Sequence, residues 1–193
     1  IEYWKYNYNE LKKYFEKQLI NVSVNDFYKA CNKVKPSLIR TNADELTYHL
    51  HILIRYEIEK GLIESSIKVK DLPEIWNKKY QEYLGITVPS DSMGVLQDIH
   101  WSHGSFGYFP TYTIGSLYAA QFFTQALYEN EKLYDEISTG NNNNLLKWLR
   151  EKIHKHGKKY SAQDLCIKVT GEKLNFNFFK KYAINKYTSM YDL

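Results

Sequence analysis

Apolar positions recur along this chain with the spacing of helices rather than strands. Over 9–19, Leu11, Tyr14, Phe15 and Leu19 fall on one face with Lys and Glu opposite, which predicts an amphipathic helix. Ser23 stands before Asp26 and the apolar set Phe27, Ala30, Cys31 and Val34. A Ser at that position accepts backbone N–H bonds, and Pro36 ends the segment by driving Lys35 out of the α region. Asn42 and Glu45 read as an N-x-x-E cap on a long helix carrying Leu46, Leu50, Leu53, Ile54 and Ile58, stopped at Gly61. Asp71-Leu72-Pro73-Glu74 joins an N-cap, a Pro in the first turn and a Glu at N3, and Gly85 closes that helix. A short helix is predicted over 94–101, and the glycine-containing stretch 103–110 is predicted to be irregular. The run 113–138 is the longest periodic stretch, and 145–156 is helical up to Gly157. Ser161 with Asp164 caps another helix, ended by Gly171, and Asn175 opens the last, through Phe178, Phe179, Tyr182, Ile184 and Tyr187. Only Ile67-Lys68-Val69-Lys70 alternates in strand fashion, and no internal repeat is present. The pattern predicts an all-α fold of about eight helices with short connections, organised as a single domain over 1–193.

Composition narrows the function classes. Hydrophobic residues make up 44% and charged residues 25%, enough apolar surface for a packed core. The net charge is +4, but Lys alternates with Glu and Asp along the helical stretches. That is the signature of solvated helix surface rather than of one charged face, so no nucleic-acid partner is expected. No apolar run reaches the ~18 residues that span a bilayer, so no membrane partner is expected either. The start, Ile1-Glu2-Tyr3-Trp4-Lys5-Tyr6, has no basic region followed by an apolar stretch and so does not read as a secretion signal. It also lacks an initiator Met, which suggests that the chain begins inside a longer protein. Cys31 and Cys166 have no near partner for a metal or redox motif and read as two buried thiols of a reducing, cytoplasmic compartment.

Candidate chemistry is concentrated in two places. His49 and His51, like His154 and His156, lie two apart, so on a helix they point about 200° apart and cannot clamp one ion. His100 and His103 are three apart and could face one ion. No HExxH, GxSxG, GxGxxG or P-loop pattern occurs. The segment from Gly94 to Tyr112 mixes hydrogen-bonding groups with aromatics and then a glycine loop. On a helix, Gly94, Gln97, Asp98 and Trp101 would share a face with His100 at its edge. Such a mixture suits a substrate wall, or equally a buried polar network that knits helices together. Arg40 is one of only three arginines, with Arg55 and Arg150, in a Lys-rich chain. Beside a predicted helix N-terminus its guanidinium makes a corner for a carboxylate, or alternatively an ion pair with Asp44 or Glu45. Arg55 and Arg150 read as helix residues without a predicted partner.

Ile39-Arg40-Thr41-Asn42-Ala43-Asp44 resembles the IRxxAD motif of the carboxypeptidase Taq family of zinc metallocarboxypeptidases. Gly94-Val95-Leu96-Gln97-Asp98-Ile99-His100-Trp101 is similar to that family's GxxQDxHW motif at every fixed position. The similarity continues through 44–59, 104–121 and 149–171 in the family's order. It implies a multi-helix, C-terminal portion of a zincin-like metallopeptidase, a hydrolase that removes C-terminal amino acids from peptides and works as a homodimer. In that family zinc is held by HExxH and a downstream Glu, and both precede the IRxxAD motif. This chain carries neither, so no metal ligand is assigned to it, and zinc and the general-base Glu are expected in the full-length enzyme. The chain is then expected to be inert alone and to act with the N-terminal part of the same enzyme.

For individual residues, the resemblance implies that Arg40 recognises the free C-terminal carboxylate of a peptide. His100, Tyr108 and Tyr112 are the catalytic candidates, donating to the carbonyl oxygen or the tetrahedral oxyanion, with the tyrosines also able to line the side-chain pocket. Gln97, Asp98 and Trp101 complete the substrate wall, with Gln97 and Asp98 orienting His100 and the loop. Two other readings belong to different classes. One is a non-catalytic all-α binding or scaffold protein derived from this fold, and the other is a self-sufficient hydrolase with a metal at His100 and His103.

Overall fold

Ten α-helices and four short 3-10 turns, with no strand, make up the computed structural model, which describes residues 1–193. The helices are α1 (Glu2–Tyr14), α2 (Glu16–Leu19), α3 (Val24–Cys31), α4 (Tyr48–Ile63), α5 (Leu72–Leu84), α6 (Pro110–Glu129), α7 (Leu133–Ser138), α8 (Asn143–Lys152), α9 (Ala162–Thr170) and α10 (Phe176–Tyr191). The all-α prediction holds. The expectation of two buried thiols holds for Cys166 only: Cys31, the last residue of α3, is exposed. The chain divides into two compact units, one of Asn32–Gly115 and one of Ile1–Cys31 with Ser116–Leu193.

Several caps act as the sequence predicts. Ser161 Oγ accepts from Asp164 N and donates to its carboxylate, and Asn175 accepts from Asn177 N. Gly85 and Gly171 end α5 and α9 in the left-handed conformation, at φ 68° and 81°. Other boundaries move, each for a local reason. The helix expected from Asn42 begins at Tyr48, because Asp44 does the capping: its Oδ1 accepts from Leu46 N and Thr47 N at 2.9 and 3.0 Å. Residues Arg40–Asn42 form only a 3-10 turn. Gly61 does not stop the helix, which runs on to Ile63. A Cβ at Gly61 would lie 2.5 Å from Ile67 Cδ1, so the glycine is there for close approach. The run 113–138 breaks at Asn130, whose side chain accepts from Lys132 N and turns the backbone between α6 and α7.

The short helix expected over 94–101 does not form. Asp91–Met93 is a single 3-10 turn, Gly94 sits at φ −123° and ψ −121°, and irregular turns follow. The side chains of Gln97 and Asp98 are bonded to groups more than forty residues away in sequence, and these tertiary bonds outweigh the weak helical pattern.

In the unit Asn32–Gly115, α4 packs on α5 around Ile54, Ile58, Trp76, Tyr80, Leu84 and Val95. Lys79 and Tyr83 of α5 both bond the carboxylate of Glu57 on α4. This pair of helices is the floor on which the turns of 94–109 rest. In the other unit, Ala126, Leu133, Trp148 and Val169 form the core. The fully buried Gln121 bonds Thr170, the carbonyl of Lys173 and the backbone N–H of Asn175 there, satisfying both ends of its amide.

Candidate functional site

The buried face of α4 carries a polar stripe. His51, Arg55 and Glu59 lie at i, i+4 and i+8, on one side of the helix, with 0%, 0% and 3% of their surface exposed. Charged groups at that depth require partners, and the turns after Gly94 supply them. Glu59 accepts from the indole of Trp101 at 2.9 Å and from Gly107 N at 3.1 Å. Gly107 has φ 80°, a conformation that suits glycine and lets its N–H meet that carboxylate. Arg55 donates from Nε to Asp98 Oδ2 at 3.0 Å, from Nη1 to the carbonyl of His51 at 3.0 Å, and from Nη2 to Gln97 Oε1 at 3.2 Å. Its guanidinium lies between the rings of Trp76 and Phe109, 4.7 and 5.2 Å from their centroids.

Asp98 is the hub. Its Oδ2 also accepts from Arg40 Nε at 3.1 Å, and its Oδ1 meets His100 Nδ1 at 2.5 Å. Burial alone would raise this carboxyl. The hydrogen bond to His100 and the bonds and charges of Arg55 and Arg40 overcome burial and hold it down at about 2. Because the carboxylate is ionised it only accepts, which fixes the proton of His100 on Nδ1. Nε2 of the same ring then faces the hydroxyl of Tyr112 at 3.1 Å. His51 is pushed the other way: burial, joined by the charges of Arg55 and Arg40, lowers it to about 4. It is therefore neutral beside Arg55, with Nδ1 on the hydroxyl of Tyr80 at 3.0 Å.

Arg40 stands nearer the surface, with 13% of its side chain exposed against 0% for Arg55. Nε is held by Asp98, Nη1 donates to the hydroxyl of Tyr48 at 3.2 Å, and its backbone N–H donates to Gln97 Oε1. The guanidinium lies 5.2 Å from the ring centre of Tyr112 and 5.6 Å from that of Phe109. Its Nη2 corner is the part not engaged by these neighbours.

The structure thus brings Arg40, Gln97, Asp98, His100 and Tyr112 into one cluster. Tyr108 joins it by stacking on His100, with ring centres 5.8 Å apart, while half of its surface stays exposed. Trp101 lies to the side: it bonds Glu59 and packs edge-on against Trp76. Neither ion pair proposed for Arg40, with Asp44 or Glu45, is the one it makes; its carboxylate partner is Asp98. His103 lies 5.7 Å from His100, ring to ring, but bonds Ser105, and both nitrogens of His100 are already engaged. No group of three His, Cys, Asp or Glu side chains could hold a metal ion, so the residues of this chain do not fit a zinc site.

Sequence reasoning missed Arg55, Tyr48, Phe109 and Glu59. A signal for Arg55 was present: it lies on the same helix face as Ile52, Ile58 and Glu59, at spacing that buries it, in a chain with three arginines.

Solved structures share the fold closely. The M32 carboxypeptidase from Deinococcus radiodurans R1 is 36% identical with a TM-score of 0.96, over 100% of this chain and 39% of that one. Metallocarboxypeptidase 1 of Trypanosoma cruzi is 36% identical with a TM-score of 0.91, over 96% and 39%. The scaffold is that of the all-helical metallocarboxypeptidases. The family model for carboxypeptidase Taq (M32) metallopeptidases matches residues 1–187, and the chain belongs to that family. Carboxypeptidase 1 of Bacillus subtilis is 44% identical over 98% of this chain, and thermostable carboxypeptidase 1 of Thermus thermophilus 42% identical over 99%. The chain spans 38% and 37% of the length of these two relatives. No helix is long and apolar enough to cross a membrane.

Proposed function

We propose that this chain is the C-terminal part of a zinc metallocarboxypeptidase and supplies the wall against which a peptide with a free C-terminus is held. The observation that carries this reading is the partial exposure of Arg40, a cation at the edge of an otherwise buried charge cluster, with bonds at Nε and Nη1. A guanidinium clamped at Nε and Nη1 is oriented before the ligand arrives, which lowers the cost of ordering it. It would take a C-terminal carboxylate by a charge-assisted bond, through one corner rather than through the full fork.

Beside it, the Asp98–His100–Tyr112 chain holds a proton at a defined place. With Nδ1–H on Asp98, His100 Nε2 faces the Tyr112 hydroxyl. To act on the scissile amide, the Tyr112 hydroxyl, held in place by His100, would turn its single proton from Nε2 to the carbonyl oxygen. Tyr108, with no bond on its exposed hydroxyl, would line the pocket for the last side chain. Gln97, Asp98 and Trp101 act by position: Gln97 ties Arg40 to Arg55, Asp98 orients His100, and Trp101 braces the loop through Glu59. When bound, zinc would polarise that carbonyl and activate water. Its ligands would come from residues outside this chain.

The enzyme would work with its N-terminal part, as a homodimer and in the cytoplasm; two unpaired thiols, Cys31 and Cys166, support a reducing compartment. The test is stepwise release of C-terminal amino acids by the zinc-loaded, full-length enzyme. Release from peptides with a free C-terminus and not from their amides is expected. Binding of peptides without any release would instead favour a scaffold.

A further inference from the structure

Two arginines share one carboxylate oxygen, and they are not equivalent. Arg40 and Arg55 both donate from Nε to Asp98 Oδ2, at 3.1 and 3.0 Å. Arg40 is the one a ligand can reach. Arg55 has no exposed surface, and its Nε, Nη1 and Nη2 all have protein acceptors. We infer that Arg55 is a positioning residue: it keeps Asp98 turned toward His100 whether or not Arg40 is occupied by a carboxylate. This rests on the reading of Arg40 as the carboxylate-binding group.

The argument is one of competition. An incoming carboxylate and Asp98 would share a single cation at Arg40. The hold of Arg40 on Asp98 then weakens as the ligand binds. His100 hangs by Nδ1 on the other oxygen of Asp98, so without a second cation its orientation would follow the occupancy of Arg40. Arg55 supplies that second cation from behind, out of reach of the ligand. Its own position is fixed by the carbonyl of His51, by Gln97 and by the rings of Trp76 and Phe109. Of the other titratable groups in contact with it, Tyr80 lies 3.4 Å from Nη1 and His51, one turn away, is kept neutral, so the positive charge Arg55 faces is that of Arg40 across Asp98. Gln97 completes the arrangement. Its Oε1 accepts from Arg55 Nη2 and Arg40 N, while its Nε2 donates to the carbonyls of Leu38 and Met93.

The experiment compares Arg55→Met, Arg55→Lys and Arg40→Met in the full-length enzyme. The readouts are kcat and KM on a free-C-terminus peptide, and the Nδ1–H resonance of His100 in histidine-labelled protein, identified by its loss in His100→Gln. Arg55→Met is expected to lower kcat at least about 10-fold while KM stays within about twofold, and to lose the Nδ1–H resonance. Arg55→Lys is expected to fall between Arg55→Met and the unaltered enzyme in kcat and to keep the resonance. Arg40→Met is expected to act mainly on KM. A rise in KM at unchanged kcat in Arg55→Met, or persistence of its Nδ1–H resonance, would overturn the inference. If Arg55→Met does not fold, Arg55→Lys decides: lower kcat at unchanged KM supports the inference and unchanged kcat refutes it. If the unaltered enzyme releases no amino acid, the proposed function fails, and the His100 resonance still decides the role of Arg55.

Discussion

At the scale of single residues, Asp98 is where the charges of the cluster meet. It accepts from two arginines and one histidine, and its carboxyl sits near 2 instead of its ordinary 3.8. A carboxyl lowered by folding stabilises the folded state fully above about pH 4, and that contribution is lost as pH falls toward 2. The difference amounts to about 2 kcal/mol. Unfolding free energy measured from pH 5 down to pH 2 should therefore fall more steeply than in Asp98→Asn, by about that amount. Equal slopes in the two proteins would mean that Asp98 is not held by these cations. Asp98, Gln97 and His100 were legible as candidates from their motif. Their geometry was not, because no local pattern announces that Asp98 bonds Arg55, 43 residues earlier.

At the scale of elements, α4 determines the site. Its buried face alternates isoleucines with His51, Arg55 and Glu59, so the helix builds both the apolar core and the polar floor. The apolar spacing picks out Ile54 and Ile58 but leaves Arg55 a helix residue without a predicted partner, because a partner 43 residues away leaves no local signal. Gly61 shows a second limit. Glycine near a helix end commonly reads as a stop, yet here it lies inside α4 against Ile67. Gly61→Ala is accordingly expected to destabilise the protein by about 1–2 kcal/mol through overpacking, despite the better helix propensity of alanine. A rise in thermal midpoint would show that Ile67 moves aside at no cost. The stretch 94–101 failed as a helix for the opposite reason: its residues are fixed by partners on other elements and not by their own spacing.

At the scale of the molecule, family membership and fold were both readable from two motifs and a helical pattern. The pattern could not show the division into two compact units, because helix periodicity says which face is buried but not against what. All the residues of the carboxylate cluster lie within Asn32–Gly115. On the proposed function, cleavage as a whole would depend on parts of the longer enzyme, whereas carboxylate recognition would be a property of this unit. The most direct measurement is kcat/KM for matched peptides with free and amidated C-termini, in the full-length enzyme with and without Arg40→Ala. Loss of a charge-assisted carboxylate contact costs about 1.5–3 kcal/mol. The preference for the free over the amidated peptide should therefore shrink by roughly 10- to 150-fold in the variant. An unchanged preference, with both peptides slowed alike, would contradict the assignment of Arg40 as the group that reads the C-terminus.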